Sequence, residues 1–284
     1  MKKVILFFLF ITYSLILHAD YKLEKQWETD KILKTPESVI YDQENDILYV
    51  SNINGKPSQK NGKGFISKVG LGGKIIELKW ITGLNAPKGS AIFNGKLYIA
   101  DIDQLVEIDI KKGKILKKHK AKGAIFLNDV AVDNSGNVYV SDMYSQNSCI
   151  YKFDRKDISV WLKGKDISSP NGLFAEEDRL IVGNSGDGKL KAINFEDKST
   201  SIVVDIGSSI DGIAKDEIGN YIISDWMGKT SLIDKNGSVI ELLNTTASGI
   251  NSADLTYIKN KNLVLIPTFS DNCIVAYKLI MEMN

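Results

Sequence analysis

Six residues stand at the same point of a repeated hairpin and hold most of the groups in this chain that could do chemistry: Glu37, Lys88, Asn128, Asn171, Asp211 and Ala253. They are spaced 51, 40, 43, 40 and 42 residues apart (88−37, 128−88, 171−128, 211−171 and 253−211). If they meet, they bring together two carboxylates, two amides and one ammonium. Two negative charges with neutral amide oxygens suit a hard divalent cation of the calcium type, with Glu37, Asn128, Asn171 and Asp211 as ligands. Calcium is the expected ion, and zinc or manganese held by oxygen alone are the alternatives. His119 falls on an outer strand, which excludes a His-based triad or a His-ligated zinc. Each Asn, Asp or Gly could also serve a turn through side-chain to backbone hydrogen bonds, and that reading stays open for any single position. A turn requires neither a Glu nor two uncompensated carboxylates facing each other.

The elements that must position these residues are short antiparallel strands. In FLNDVAVDNSGNVYVSD, from Phe126 to Asp142, an Asn-Asp corner opens an alternating strand, Asn134-Ser135-Gly136 reverses it, and a second strand returns to Asp142, a β-hairpin signature. A period of about 40 with several strands per repeat is the pattern of a propeller. In the third repeat the four strands are expected at 129–133, 137–142, 149–154 and 158–162. Trp80 and Trp161 mark fourth strands eight and ten residues before the next corner (88−80, 171−161), and Trp27 stands ten before Glu37. The segment around Trp27 is therefore a fourth strand with no preceding repeat, while the sixth repeat lacks its own. Joining the two gives an all-β, six-bladed β-propeller closed by an N-terminal strand in the last blade, which leaves no unpaired inner edge. The rival is an open β-solenoid.

With Lys+Arg 36 and Asp+Glu 35 there is no net field to attract nucleic acid or an anionic membrane. Lys2 and Lys3 precede an apolar run ending at Leu17-His18-Ala19, so residues 1–19 read as a signal peptide and 20–284 as one propeller domain, periplasmic or secreted. An uncleaved anchor is the alternative. Cys149 and Cys273 begin equivalent strands three repeats apart, too distant to bridge. The mature chain is expected to be a monomer. The insertion from Asn54 to Lys63 overhangs the corner face and is either a lid or a solvated loop. The run from Lys111 to Lys122 protects an outer edge. Second-strand exits add Asn52, Asp101, Asp142, Asn184 and Asp225, followed by Met143, Tyr144, Trp226 and Met227. Asp142, Asp225, Tyr144, Trp226 and Phe126 are expected to line a pocket, with ordinary loop packing as the alternative.

Four segments, Glu37 in TPESVIYD, Asn128 in FLNDVAVD, Asn171 in SPNGLFAE and Asp211 in SIDGIAKD, resemble the motifs of the SMP-30/gluconolactonase family of calcium-type lactonases over the whole mature chain. The resemblance implies that Glu37, Asn171 and Asp211 hold the metal and that Asn128 contacts substrate or completes the shell. It implies hydrolysis of a small-molecule lactone or ester, with the cation polarising the carbonyl and Asp211 acting on the attacking water. Lys88 would face the oxyanion or a substrate carboxylate, or else pair with Glu37. Sugar-lactone hydrolases of the family often carry Arg two residues before the Asn of the ND motif. Phe126 stands there, which favours a less polar ring. The alternative is a non-catalytic periplasmic propeller with a structural metal, binding a protein or small ligand.

Overall fold

The structure, a computed structural model, describes residues 19–144 and 146–283. The expected signal segment lies outside the described residues apart from Ala19. Six four-stranded antiparallel sheets follow one another as blades. The chain begins with β1 (Ala19–Glu28). Blade one is β2 (Pro36–Asp42), β3 (Ile47–Asn52), β4 (Gly64–Gly70) and β5 (Ile75–Leu84); blade two is β6 (Pro87–Phe93), β7 (Lys96–Asp101), β8 (Gln104–Asp109) and β9 (Lys114–Lys120). Blade three is β10 (Leu127–Val132), β11 (Val138–Asp142), β12 (Cys149–Phe153) and β13 (Ile158–Lys163); blade four is β14 (Pro170–Ala175), β15 (Arg179–Asn184), β16 (Lys189–Asn194) and β17 (Thr200–Asp205). Blade five is β18 (Ile213–Lys215), β19 (Tyr221–Asp225), β20 (Lys229–Ile233) and β21 (Val239–Asn244). Blade six has β22 (Thr256–Ile258), β23 (Leu263–Pro267) and β24 (Ile274–Met283), with β1 as its outer strand. Trp27 pairs with Ala276 in that closure, so the ring is sealed by strand hydrogen bonds as the tryptophan spacing predicts.

Second strands such as β11 and β19 are buried along their whole length, whereas the fourth strands are largely exposed. That gradient follows from geometry: an inner strand is covered on both faces by neighbouring blades, and an outer one meets water. The core is accordingly divided into packets between adjacent blades. Tyr98, Val130 and Phe153 fill one between blades two and three, and Ile181, Ile213 and Ile223 another between blades four and five. Cys149 and Cys273 are buried free thiols.

The two ends of the inner hairpins are held differently. At one end Asp42, Asp133 and Asp216 accept the backbone N–H groups of their own turns, Asx turns that set the hairpin reversal. At the other end the first strand is interrupted by a bulge in four blades, with register shifts at Pro36/Ser38, Pro87/Ser90, Leu127/Val130 and Pro170/Leu173. Bulges re-aim side chains. Glu37, Lys88, Asn128 and Asn171 lie at these four bulges.

Candidate metal and ligand site

Glu37, Lys88, Asn128, Asn171 and Asp211 all line one cavity of about 350 Å³ at the corner end of the hairpins. Each is more than nine-tenths buried. The glycines that follow three of them fix how close the strands can come. A Cβ on Gly172 would stand 2.0 Å from the Asp211 carbonyl oxygen, and one on Gly89 would stand 2.1 Å from Asp129 Oδ1. These glycines serve close approach of the next blade, a demand that a reading of them as turn residues does not anticipate.

Asn128 Nδ2 donates to Asn171 Oδ1, and Asn171 Nδ2 donates to Asp211 Oδ1 at 2.8 Å. One polar line therefore runs across blades three, four and five. Asn128 Nδ2 also lies 3.0 Å from Met143 Sδ. With both amides so oriented, Asn128 Oδ1 is buried without a hydrogen-bond partner, and so is Glu37 Oε2. A buried acceptor left unpaired is costly, and two of them in one cavity fit a cation. Glu37, Asn128, Asn171 and Asp211 thus match an oxygen-ligated divalent ion in chemistry. Among the described residues no three His, Cys, Asp or Glu side chains form a cluster of metal-binding size; this donor set is half amide.

Burial pushes the Glu37 carboxyl well up, and the charges of Asp211 and Asp254 add to it. Burial and Asp254 raise Asp211 to about 8, against the hydrogen bond from Asn171. Burial lowers Lys88 to about 8 although the Glu37 charge opposes it. Lys88 is not in an ion pair with Glu37. Its Nζ donates to the Ala86 carbonyl at 3.2 Å and sits 4.4 Å from the centre of the Phe126 ring.

One residue past the corners lies a second acid layer, the buried Asp129 and the partly buried Asp254. Burial and the Asp254 charge raise Asp129 well above the usual range, and burial raises Asp254 to about 7. Asp129 Oδ1 and Oδ2 accept the N–H groups of Val130 and Leu173, both at 2.6 Å. Both acids line a second cavity, of about 310 Å³, bounded by the inner strands. Periodicity does not single out this pair. Its signal is the contrast between glycine at positions 89, 172 and 212 and Asp at 129 and 254.

The remaining walls divide the expectations. Phe126 and Trp226 line the first cavity, whereas Tyr144, Asp142 and Asp225 do not. Asp142 instead accepts the N–H groups of Ile125 at 2.9 Å and Phe126 at 3.0 Å, which fixes the loop that presents the Phe126 ring. Asp225 accepts the Met227 N–H at 3.0 Å. Asn52, Asp101 and Asn184 clamp their loops in the same manner. Asn52, Asp101, Asp142 and Asn184 therefore satisfy backbone donors of the inter-blade connections, Asp225 satisfies one in the turn after its own strand, and Tyr144 is exposed. Ile53, Pro57, Ser185, Ser209 and Phe269 also line the cavity. Phe269 meets Trp226 edge to face at 5.5 Å and holds a φ of 50°, a strained value for an aromatic residue. Pro57 brings the 54–63 loop to the cavity, and Lys60 ties the loop to Asp103 at 2.6 Å.

Comparison with known proteins agrees with this architecture. The family model of the SMP-30/gluconolactonase/LRE-like region matches residues 35–253. A catalytically inactive histidine-to-alanine variant of virginiamycin B lyase from Staphylococcus aureus, solved with quinupristin, superposes with a TM-score of 0.63 at 13% identity, covering 93% of this chain and 100% of that one. An X-ray structure from structural genomics, of a protein assigned as a gluconolactonase, gives 0.64 at 13% identity and covers 95% of both chains. At that identity the two likenesses show the fold. A search of curated protein sequences gave no significant match.

Proposed function

The chain belongs to the SMP-30/gluconolactonase/LRE-like family, and from that premise we propose that it is an exported, metal-dependent hydrolase of a lactone or related ester. The observation that carries this reading is the meeting of four oxygen-bearing side chains from four blades in one cavity, two of them with buried oxygens that no protein donor satisfies.

Glu37, Asn128, Asn171 and Asp211 would hold the ion, most simply calcium. When bound, it supplies Lewis-acid polarisation of the ester carbonyl. Asp211, already oriented by the Asn171 amide, holds a proton of the attacking water. Lys88 has one acceptor at 3.2 Å and therefore spare N–H donors to turn on negative charge that develops in the cavity. Water oxygen adds to the acyl carbon, the acyl carbon to alkoxy oxygen bond breaks, and the proton passes to the leaving alkoxide. Phe126, Trp226 and Phe269 line the cavity with apolar surface, which strengthens these charge interactions.

The lyase neighbour suggests elimination in place of hydrolysis as a second reading. That protein is inactivated by loss of a histidine, and among the described residues the cavity lining includes none. His119 is engaged elsewhere, with Glu107 at 2.9 Å. Hydrolysis is therefore favoured. The test is pH-stat turnover over a lactone panel with calcium, zinc and manganese, for the wild type and Asp211→Asn. Turnover abolished by EDTA and reduced roughly a hundredfold or more by the substitution is expected. Equal rates in the two proteins would remove the assignment, and a bound ion without turnover would leave a binding propeller.

A further inference from the structure

The cavity makes two separate chemical demands, and the second narrows the ligand. Its oxygen set suits a cation, while Lys88 faces nothing of opposite charge at ion-pair distance. The lysine is 1% exposed, and a buried ammonium is costly unless a partner compensates it. In contact it has one carbonyl at 3.2 Å and the face of Phe126 at 4.4 Å, with the Glu37, Asp101 and Asp142 charges acting from beyond ion-pair distance, which leaves N–H donors unused. A divalent ion held by Glu37 and Asp211 would cancel their two negative charges. Lys88 would then remain the one charged group of the cavity lining without an ion-pair partner, a place that an anion fits.

The rest of the lining restricts what carries that anion. Ile53, Pro57, Phe126, Met143, Trp226 and Phe269 are apolar, and the polar side chains besides the axial set are Ser185 and Ser209. Such walls do not satisfy a polyol, whose hydroxyls would lose hydrogen bonds to water without replacement. Trp226 and Phe269, meeting edge to face, form an apolar corner against which a ring can pack.

We propose that Lys88 anchors a carboxylate carried on an apolar, ring-bearing body, so that the ligand class is an aromatic or bulky aliphatic lactone with one ionised carboxylate. The lactone part rests on the proposed function; the anchoring of an apolar carboxylate does not.

Calorimetric titration of the full chain with 3-phenylpropionate and its uncharged amide, in EDTA and again in calcium, separates the possibilities without turnover. In both conditions the wild type is expected to bind the carboxylate roughly tenfold or more tightly than the amide, the worth of a hydrogen bond to a charged group. Lys88→Met is expected to abolish that preference, weakening carboxylate binding far more than amide binding. Phe126→Leu, which keeps the ammonium, is expected to weaken carboxylate binding more modestly. Equal affinity of the wild type for acid and amide overturns the proposal, as does the absence of carboxylate binding at millimolar concentration. A preference that persists in Lys88→Met but vanishes in EDTA assigns the carboxylate to the cation and overturns it as well. A hydrolysis panel that fails while the Lys88-dependent preference holds refutes the enzyme reading and leaves the anchor standing.

Discussion

Two regions of this molecule bury carboxylates, and they treat them in opposite ways. Between blades four and five, Glu176 accepts from Arg179 at 2.6 Å, from Tyr221 at 2.7 Å and from Lys215. Burial pushes this carboxyl up, but the hydrogen bonds of Lys215, Tyr221 and Arg179 outweigh it and hold it below the ordinary range. Glu107 is held low in the same way by Lys96 and His119. At the axis, Glu37, Asp129, Asp211 and Asp254 lie deeper with less compensation, and all four are pushed up. A paired buried charge is a fastener, whereas an uncompensated one is tolerated where something else completes it. The comparison marks the axial cavity as the candidate site, and it agrees with where the corner residues meet.

The contrast can be broken by substituting one acid from each region. Glu37→Gln is expected to lower lactone turnover roughly a hundredfold or more, measured by pH-stat, while the melting temperature in EDTA holds or rises because an unpaired buried charge has gone. A large loss of stability with intact turnover would make Glu37 a fastener like Glu176. Glu176→Gln is expected to do the reverse, destabilising by about 1–3 kcal/mol in urea unfolding with turnover unchanged within roughly twofold.

The smallest effect sharpens the comparison through pH. Asp254 has a folded pKa of about 7 against an ordinary 3.8. The folded chain therefore binds the proton more tightly than the unfolded one. The stability this contributes is complete below about pH 4 and is lost as pH rises through about 7. In EDTA the wild type is expected to melt progressively lower from pH 5 to pH 8, and Asp254→Asn to flatten that slope by on the order of 2 kcal/mol. Glu176, with its lowered pKa, contributes in the opposite sense: its stability is lost as pH falls. Identical slopes for wild type and Asp254→Asn would show that the second acid layer is compensated after all.

The difference between what could and could not be read in advance has a physical cause. A repeat of about 40 residues with alternating strands determines six blades, the lone strand around Trp27 determines the closure, and the corner of each repeat must then face the axis. Glu37, Lys88, Asn128, Asn171 and Asp211 were therefore legible as one set. Phe126 and Trp226 were legible as apolar groups one or two residues from a corner or a strand exit. Sequence position does not say which way a polar side chain turns at a strand exit. Asp142 and Asp225 had backbone donors within reach and took them, whereas Glu37 had none. Nor does it say which loops bend inward, so Pro57, Ser185, Ser209 and Phe269 emerged only from the fold. Periodicity is a local property that survives in the chain as written. The partner of each buried oxygen, the separation of Lys88 from Glu37, and the walls of the cavity are settled by contacts between blades hundreds of atoms apart along the chain, and only the folded ring decides them.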